Sequence, residues 1–353
     1  MKEKKIRLSV LDQSPIRKMG TARQALQETI QLAKTADKLG YTRFWVSEHH
    51  NTRGLAGSTP EVLIAHLAGK THYIRVGSGG VMLPHYSALK VAENFRMLET
   101  LFPGRIDLGI GRAPGTDRLT AQALNPYNTF SEQDFIQQLT DLGHYLNDTF
   151  EPGTDLARIQ AIPSAETVPP VWLLSSSGQS GVFAAHFGFG FSFAHFINPN
   201  GGPQMVKSYR ENFQASDNLS TPEANASIFV LCADTEKKAQ ELQAVMDLLM
   251  LRIEKGIRAG VPPYEDAVAQ EYTEAELARI QYNRQRMVAG TPEQVKLKLT
   301  QMAAEYDVDE LVIVTITYDF ADRLRSYELL AQAFELPSPS SAFNWKPEPG
   351  FYA

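Results

Sequence analysis

Ile74-Arg-Val-Gly-Ser78 and Arg105-Ile-Asp-Leu-Gly-Ile-Gly111 bracket the stretch whose reading decides the fold. Each is a short run of the length of a buried strand. Between them Val91, Phe95, Leu98 and Phe102 recur every three or four residues, one face of a helix, before Pro103-Gly104 breaks the pattern. Strand, helix and strand in succession make a β-α-β unit, whose strands lie parallel with a right-handed crossover.

The unit repeats in both directions. Toward the N-terminus, residues 6–11 read as a strand, and Leu26, Ile30, Ala33, Ala36 and Leu39 mark a helical face that Gly40 ends. A strand at 43–47 follows. Ser58-Thr-Pro-Glu61 then offers a capping box with Pro in the first turn, opening a helix to about His72. Toward the C-terminus come a long loop at 112–130, a helix at 131–146 and an irregular connection at 147–170. Strands at 171–175, 190–194 and 227–233 alternate with helices at 179–187 and 203–214. Residues 235–287 are polar and helix-prone, interrupted at Val261-Pro-Pro263. Thr291-Pro-Glu-Gln294 is a second capping box, leading to a helix ending near Glu305, a strand at 310–315 and a last helix at 320–334.

Eight strands each followed by helix fit a closed α/β barrel or a doubly wound sheet, and eight is the number that closes a barrel. No early strand runs into G-x-G-x-x-G and no G-x-x-x-x-G-K-[ST] occurs, which favours the barrel. The expected fold is a (β/α)8 TIM barrel with insertions after the fourth and seventh strands, in one domain over residues 1–353. Its core spans about 6–334, and a Pro-rich tail at 335–353 is expected on the surface.

Composition narrows the function. Among 353 residues there is one cysteine, Cys232, which excludes a disulfide framework or a cysteine zinc site. The net charge of −6, from 34 basic and 40 acidic residues of interspersed sign, lacks the clustered basic face of a nucleic-acid binder. No apolar run approaches a bilayer span, and the basic start lacks the apolar region of a signal peptide. A cytoplasmic protein is expected.

In a barrel, chemistry collects where strands end. Those points are Asp12-Gln-Ser-Pro15, Glu48-His-His50, Gly79-Gly80-Val81, Gly111-Arg112, Ser175-Ser-Ser-Gly-Gln-Ser180 and His195. The serine run opens a helix, where hydroxyls and free N–H groups receive an anion. Taken alone it reads equally as helix capping; Arg112 as a second partner tips it toward phosphate. Glu48-His49-His50 ends the second strand. Adjacent residues face opposite sides, so one histidine at most enters the mouth, which counts against a metal. A neutral histidine there can act as acid or base. Gly79-Gly80 offers bare backbone to a planar ligand, or marks a bulge. His66, His72, His144 and His186 fall in expected helices and read as structural or exposed, whereas His85 stays open.

Glu48-His-His-Asn51, Arg75-Val-Gly-Ser-Gly-Gly-Val-Met-Leu-Pro-His85, Pro103-Gly-Arg-Ile-Asp-Leu-Gly-Ile-Gly-Arg-Ala-Pro-Gly115 and Gly290-Thr-Pro-Glu-Gln-Val295 resemble the luciferase-like flavin-dependent monooxygenases. The single-chain bacterial oxidoreductases of that family are the closer likeness, from about Leu8 to Phe334. The resemblance implies a (β/α)8 barrel that takes FMN, usually in the reduced form delivered by a separate flavin reductase. It gives His49 the place of the histidine near the flavin whose loss impairs catalysis. It gives Gly79, Gly80 and Val81 the strand end where a non-prolyl cis peptide supports the isoalloxazine. Arg112, Ser176, Ser177, Gly178 and Ser180 match the phosphate site. Relatives commonly form homodimers through the helices expected at 59–71 and 86–101. Gly111, His195 and Ser176 stand where light-emitting chains carry a cysteine, a tryptophan and an acidic residue, which sets this chain apart from bioluminescence and a long-chain aldehyde substrate.

The expected function is therefore an FMN-dependent monooxygenase acting with reduced flavin and O2 on a small organic substrate, without metal, nucleic acid or membrane. The alternatives are a deazaflavin-dependent hydride-transfer reductase and a flavin-binding protein without turnover. A metal-dependent hydrolase built on Glu48, His49 and His50 is the outlying reading. The residues in excess of a plain barrel are expected to shape the substrate pocket.

Overall fold

The structure, a computed structural model, describes residues 5–112, 115–257 and 259–337. Its strands are β1 (Arg7–Asp12), β2 (Arg43–Val46), β3 (Arg75–Ser78), β4 (Val81–Met82), β5 (Ile106–Gly111), β6 (Val171–Ser175), β7 (Gly190–Ala194), β8 (Ala224–Cys232), β9 (Met287–Gly290) and β10 (Glu310–Val314). All pair in parallel, and β10 hydrogen-bonds to both β1 and β8, closing a TIM barrel in the order β1-β2-β3-β5-β6-β7-β8-β10. The short β4 continues the path of β3 beyond Gly79-Gly80 and pairs with β5. The other extra strand, β9, joins the edge of β8 that β7 vacates: β8 pairs through Ala224–Ser227 with β7 and through Phe229–Cys232 with β9.

The helices are α1 (Ala22–Leu39), α2 (Pro60–Ala68), α3 (Ala88–Leu101), α4 (Arg118–Leu124), α5 (Glu132–Asn147), α6 (Gly178–Phe187), α7 (Gly202–Glu211), α8 (Glu236–Glu254), α9 (Tyr264–Ala269), α10 (Glu274–Asn283), α11 (Pro292–Glu305) and α12 (Phe320–Ala333). None is long and apolar enough to cross a membrane among the described residues. Gly40 ends α1 with a left-handed φ of 82°, donating back to the last turn, as a C-terminal glycine allows.

Four expectations are corrected. The stretch read as a loop at 112–130 contains α4, started by Asp117, whose side chain accepts from the Thr120 N–H. The stretch read as helix-prone at 235–287 divides into α8, α9 and α10 and ends in the strand β9. The box expected at Ser58 does not form: α2 is capped at Thr59 without a side-chain hydrogen bond, and Glu61 turns to Asn94 instead, 3.2 Å away. Helix α2 also stops at Ala68, which leaves His72 outside it. The expected tail lies, beyond Pro337, outside the described residues.

Alternation along the strands sorts side chains into two cores. Phe44, Val46, Leu108, Ile110, Phe191, Phe193, Ile228 and Val230 face the helices. Trp45, Trp172, Leu11, Val312 and Phe229 form the inner cluster. Trp45 and Trp172 meet edge to face at 5.6 Å and fill the barrel. Glycine makes room for them: a Cβ on Gly190 would stand 2.6 Å from Trp172 Cδ2. Gly190→Ala should therefore cost about 1–3 kcal/mol, the range for overpacking a tight core. Urea unfolding measures it, and an unchanged midpoint would show that Trp172 has room to move.

Candidate functional site

Beyond β2 the chain stays extended, so residues continue to alternate. Ser47 Oγ and His49 Nδ1 share a hydrogen bond at 3.1 Å, and the His49 N–H donates to the Gly57 carbonyl at 2.9 Å. Burial pushes the His49 imidazole below its ordinary range, so the ring is neutral near pH 7. Glu48 and His50 form a separate group. His50 Nε2 donates to Glu48 Oε1 at 2.7 Å, as does the Tyr86 hydroxyl at 2.9 Å, while the Met82 N–H donates to Oε2 at 2.9 Å. Burial alone would raise the Glu48 carboxyl; hydrogen bonds from His50, His85, Met82 and Tyr86 outweigh it and bring it down to about 2. Glu48 is therefore an ionised, fully buried hub.

The peptide between Gly79 and Gly80 is cis. A Cβ on Gly79 would stand 2.7 Å from Leu11 Cδ1, and one on Gly80 2.9 Å from the Gly109 carbonyl oxygen. What demands glycine here is thus the barrel wall itself. Val81 is buried and pairs with Ile110.

On the other side of β5, β6 runs into α6 through Ser175, Ser176 and Ser177. Ser177 is the N-cap of α6, yet its side chain does not cap. Its hydroxyl lies 3.2 Å from Ser175 Oγ, and its N–H donates to the same oxygen at 3.1 Å. The capping reading of this serine is therefore not realised. The first-turn N–H groups of α6, at the positive end of the helix, thus receive no cap from the Ser177 side chain. Gly178 has only Met205 near its absent Cβ, at 3.6 Å, while Ser180 is buried. Arg112, directly after β5, donates to Gln179 in the first turn of α6, and Gln179 passes the contact to Glu132. Arg112 and the serine loop thus form one mouth.

Two strand-end candidates are spent on structure. His195 Nε2 donates to the Gln285 carbonyl at 2.9 Å, so Nδ1 is the acceptor for the Tyr306 hydroxyl at 2.8 Å. Both nitrogens are committed to tying the end of β7 to α11 and to the turn before β9. Asp12 accepts from Thr29 at 2.5 Å and faces Arg323 at 3.3 Å, all buried. His85 and Tyr86, which sequence reasoning did not assign, reach Glu48 from the turn before α3. No spacing rule links positions so far apart, and only the closing of β2 on β3 and β4 joins them.

The sequence profile of the luciferase-like monooxygenases matches residues 6–309. The chain belongs to that family. The chain is 52% identical to the uncharacterized protein YwcH of Bacillus subtilis over 93% of this chain and 99% of the relative. It is 38% identical to the N-acetyl-S-alkylcysteine monooxygenase of the same organism, over 93% and 98%. Among solved structures, apo-MsnO8 superposes with a TM-score of 0.88 at 39% identity, covering 95% of this chain and 99% of that one. At 21% and 13% identity, two more distant structures share the fold alone. They are the FMN complex of the oxygenating constituent of 3,6-diketocamphane monooxygenase from Pseudomonas putida, with a TM-score of 0.70, and an F420-dependent secondary alcohol dehydrogenase, with 0.65.

Proposed function

We propose that this luciferase-like monooxygenase is an FMN-dependent oxygenase that uses reduced flavin, supplied by a separate flavin reductase, and O2 to oxygenate a small organic substrate. The observation that carries the reading is the uncapped start of α6 facing Arg112. A serine that declines to cap its own helix leaves N–H donors for a phosphate, and a guanidinium beside them suits a phosphate dianion. Ser176, Ser177, Gly178 and Ser180 would hold the phosphate with Arg112. Gly79, Gly80 and Val81 would back the ring from the other side of β5.

FMN, when bound, supplies the redox chemistry. The chain's own residues position it and manage protons. His49 is held by Ser47 and kept neutral by burial, so it is able to accept or return a proton at its imidazole near pH 7. Helix α8 packs into the inner cluster through Leu242, Val245, Met246 and Leu249, an apolar cover that would help to keep water from a bound flavin. Exposed Val62 on α2, with Met97 and Leu101 on α3, offers an apolar patch for the homodimer that the family resemblance implies.

Titration of the purified chain, followed by flavin fluorescence and anaerobically for reduced flavin, tests the reading. Binding of FMN or its reduced form in the micromolar range supports it. Failure of both to bind, or tighter binding of a deazaflavin, would overturn it in favour of a different cofactor.

A further inference from the structure

We infer that Glu48, His50 and His85 form a site for one divalent transition-metal ion of the zinc class, on the side of β2 away from His49. One ligand atom from each lies within 4.8 Å of the other two. The hydrogen-bond inventory gives the second observation. Glu48 Oε1 already accepts from His50 at 2.7 Å and from Tyr86 at 2.9 Å, which occupies both of its lone pairs. His85 Nδ1 reaches that oxygen only through a long hydrogen bond, at 3.4 Å. His85 Nε2 has no partner at all among the described residues, although His85 is 2% exposed. A buried imidazole whose one side-chain hydrogen bond is this long is uncommon, and an ion between His85 Nδ1 and Glu48 accounts for the spacing.

The donor set selects the ion. Two imidazoles and one carboxylate suit zinc, with bonds of about 2.0–2.2 Å, and not the oxygen-seeking calcium or magnesium. Tetrahedral ligands at that range stand roughly 3.3 Å apart. The His85–Glu48 spacing already matches, the His50–Glu48 contact would open by about half an ångström, and the two imidazoles, within 4.8 Å of each other, would close toward the same spacing. The Met82 N–H on Glu48 Oε2 holds the carboxylate in place, as partners of metal ligands do. This departs from the expectation of no metal and from the Glu48-His49-His50 grouping. Adjacent histidines do part, but the distant His85 takes the place that His49 leaves. The ion would pin the end of β2 to the turn before α3, independently of any flavin.

The test uses the full chain stripped with a chelator, free of flavin, with Co2+ as the probe. Expected are one equivalent bound at micromolar concentration, the ligand-field absorption of tetrahedral Co2+, displacement by Zn2+ and a raised melting temperature. His85→Gln and His50→Gln should each weaken Co2+ at least about tenfold, with circular dichroism confirming their fold, whereas His49→Gln and the exposed-site control His144→Gln should bind as before. Absence of the band in the unaltered chain overturns the site whatever the variants do. So does a band that survives in His85→Gln, or one lost in His49→Gln or His144→Gln.

Discussion

Arg43→Met is expected to destabilise the protein by about 3–5 kcal/mol, because it strands a buried carboxylate. Arg43 is 4% exposed and donates through Nε and Nη2 to both oxygens of Glu310, at 2.7 and 3.1 Å, and through Nη1 to Asp107 at 3.0 Å. Its guanidinium also lies over the rings of Trp172 and Trp45, at 4.7 and 5.4 Å. Without it Asp107 keeps Arg75 at 2.8 Å, but among the described residues Glu310 keeps the Ser9 hydroxyl at 2.7 Å and the half-exposed Arg7 at 3.5 Å. Lysine would not replace it, since one ammonium cannot grip Glu310 with two parallel bonds and still reach Asp107. Glu310→Gln in the same chain should recover much of the loss, and a double-mutant cycle in urea measures how much. A single-variant cost under about 1 kcal/mol would mean that water already screens the pair. The acid limb gives a second readout. Burial would raise the Asp107 carboxyl, but Arg75 and Arg43 together hold it below its ordinary range. A depressed carboxyl contributes stability above its unfolded pKa of about 3.9, and that contribution is lost as pH falls toward the folded value. Removing one of the two arginines narrows that window, so acid unfolding of the variant should begin at higher pH.

Arg112→Ala should weaken FMN binding by about ten- to a hundredfold, the worth of a charge-assisted hydrogen-bond pair of about 1.5–3 kcal/mol. The decisive control is riboflavin, which lacks the phosphate and should bind the variant as well as it binds the unaltered chain. Equal losses for the two would show that Arg112 acts by holding Gln179 and the α6 entry in shape, not by meeting a phosphate. Raised salt should weaken FMN more than riboflavin for the same reason. Fluorescence titration of both ligands at two ionic strengths separates the cases.

The barrel was legible because its strands and helices announce themselves by period. Short apolar runs such as Leu108 to Ile110 alternate with faces such as Val91, Phe95 and Leu98. The meeting of Arg112 with the serine run was legible, since the two stand at the ends of neighbouring strands, β5 and β6. What stayed hidden was short or non-local. Met287-Val-Ala-Gly290 is only four residues and follows a helix with no turn signal, so it reads as that helix continued. Helix α4 is seven residues long, its one signal being the Asp117 cap. The Glu48 hub depends on His85 and Tyr86, which meet it only once the barrel is closed. The parting of His49 from His50 followed from strand alternation, whereas the partner on the far side did not.

The handover on β8, from β7 in its first half to β9 in its second, bears on how this mouth can be remodelled. Everything from α8 to α10 leaves the sheet at Cys232 and returns at Met287 to the same strand edge, with Cys232 itself opposite Gly290. A detour that departs and lands beside itself asks nothing of the other strands. Its length and its helices are free to change while β8, β9 and the register between them stay put. Val261 also crosses to the turn after β1, bonding Ile16 and Lys18, so the detour reaches past β10 to the next strand of the barrel. The residues proposed for the cofactor stand just past the ends of β2, β3, β5 and β6, on β4 and in the first turn of α6, off this detour altogether. The molecule thus behaves like a lathe with an interchangeable chuck: the workpiece holder is replaceable without touching the spindle.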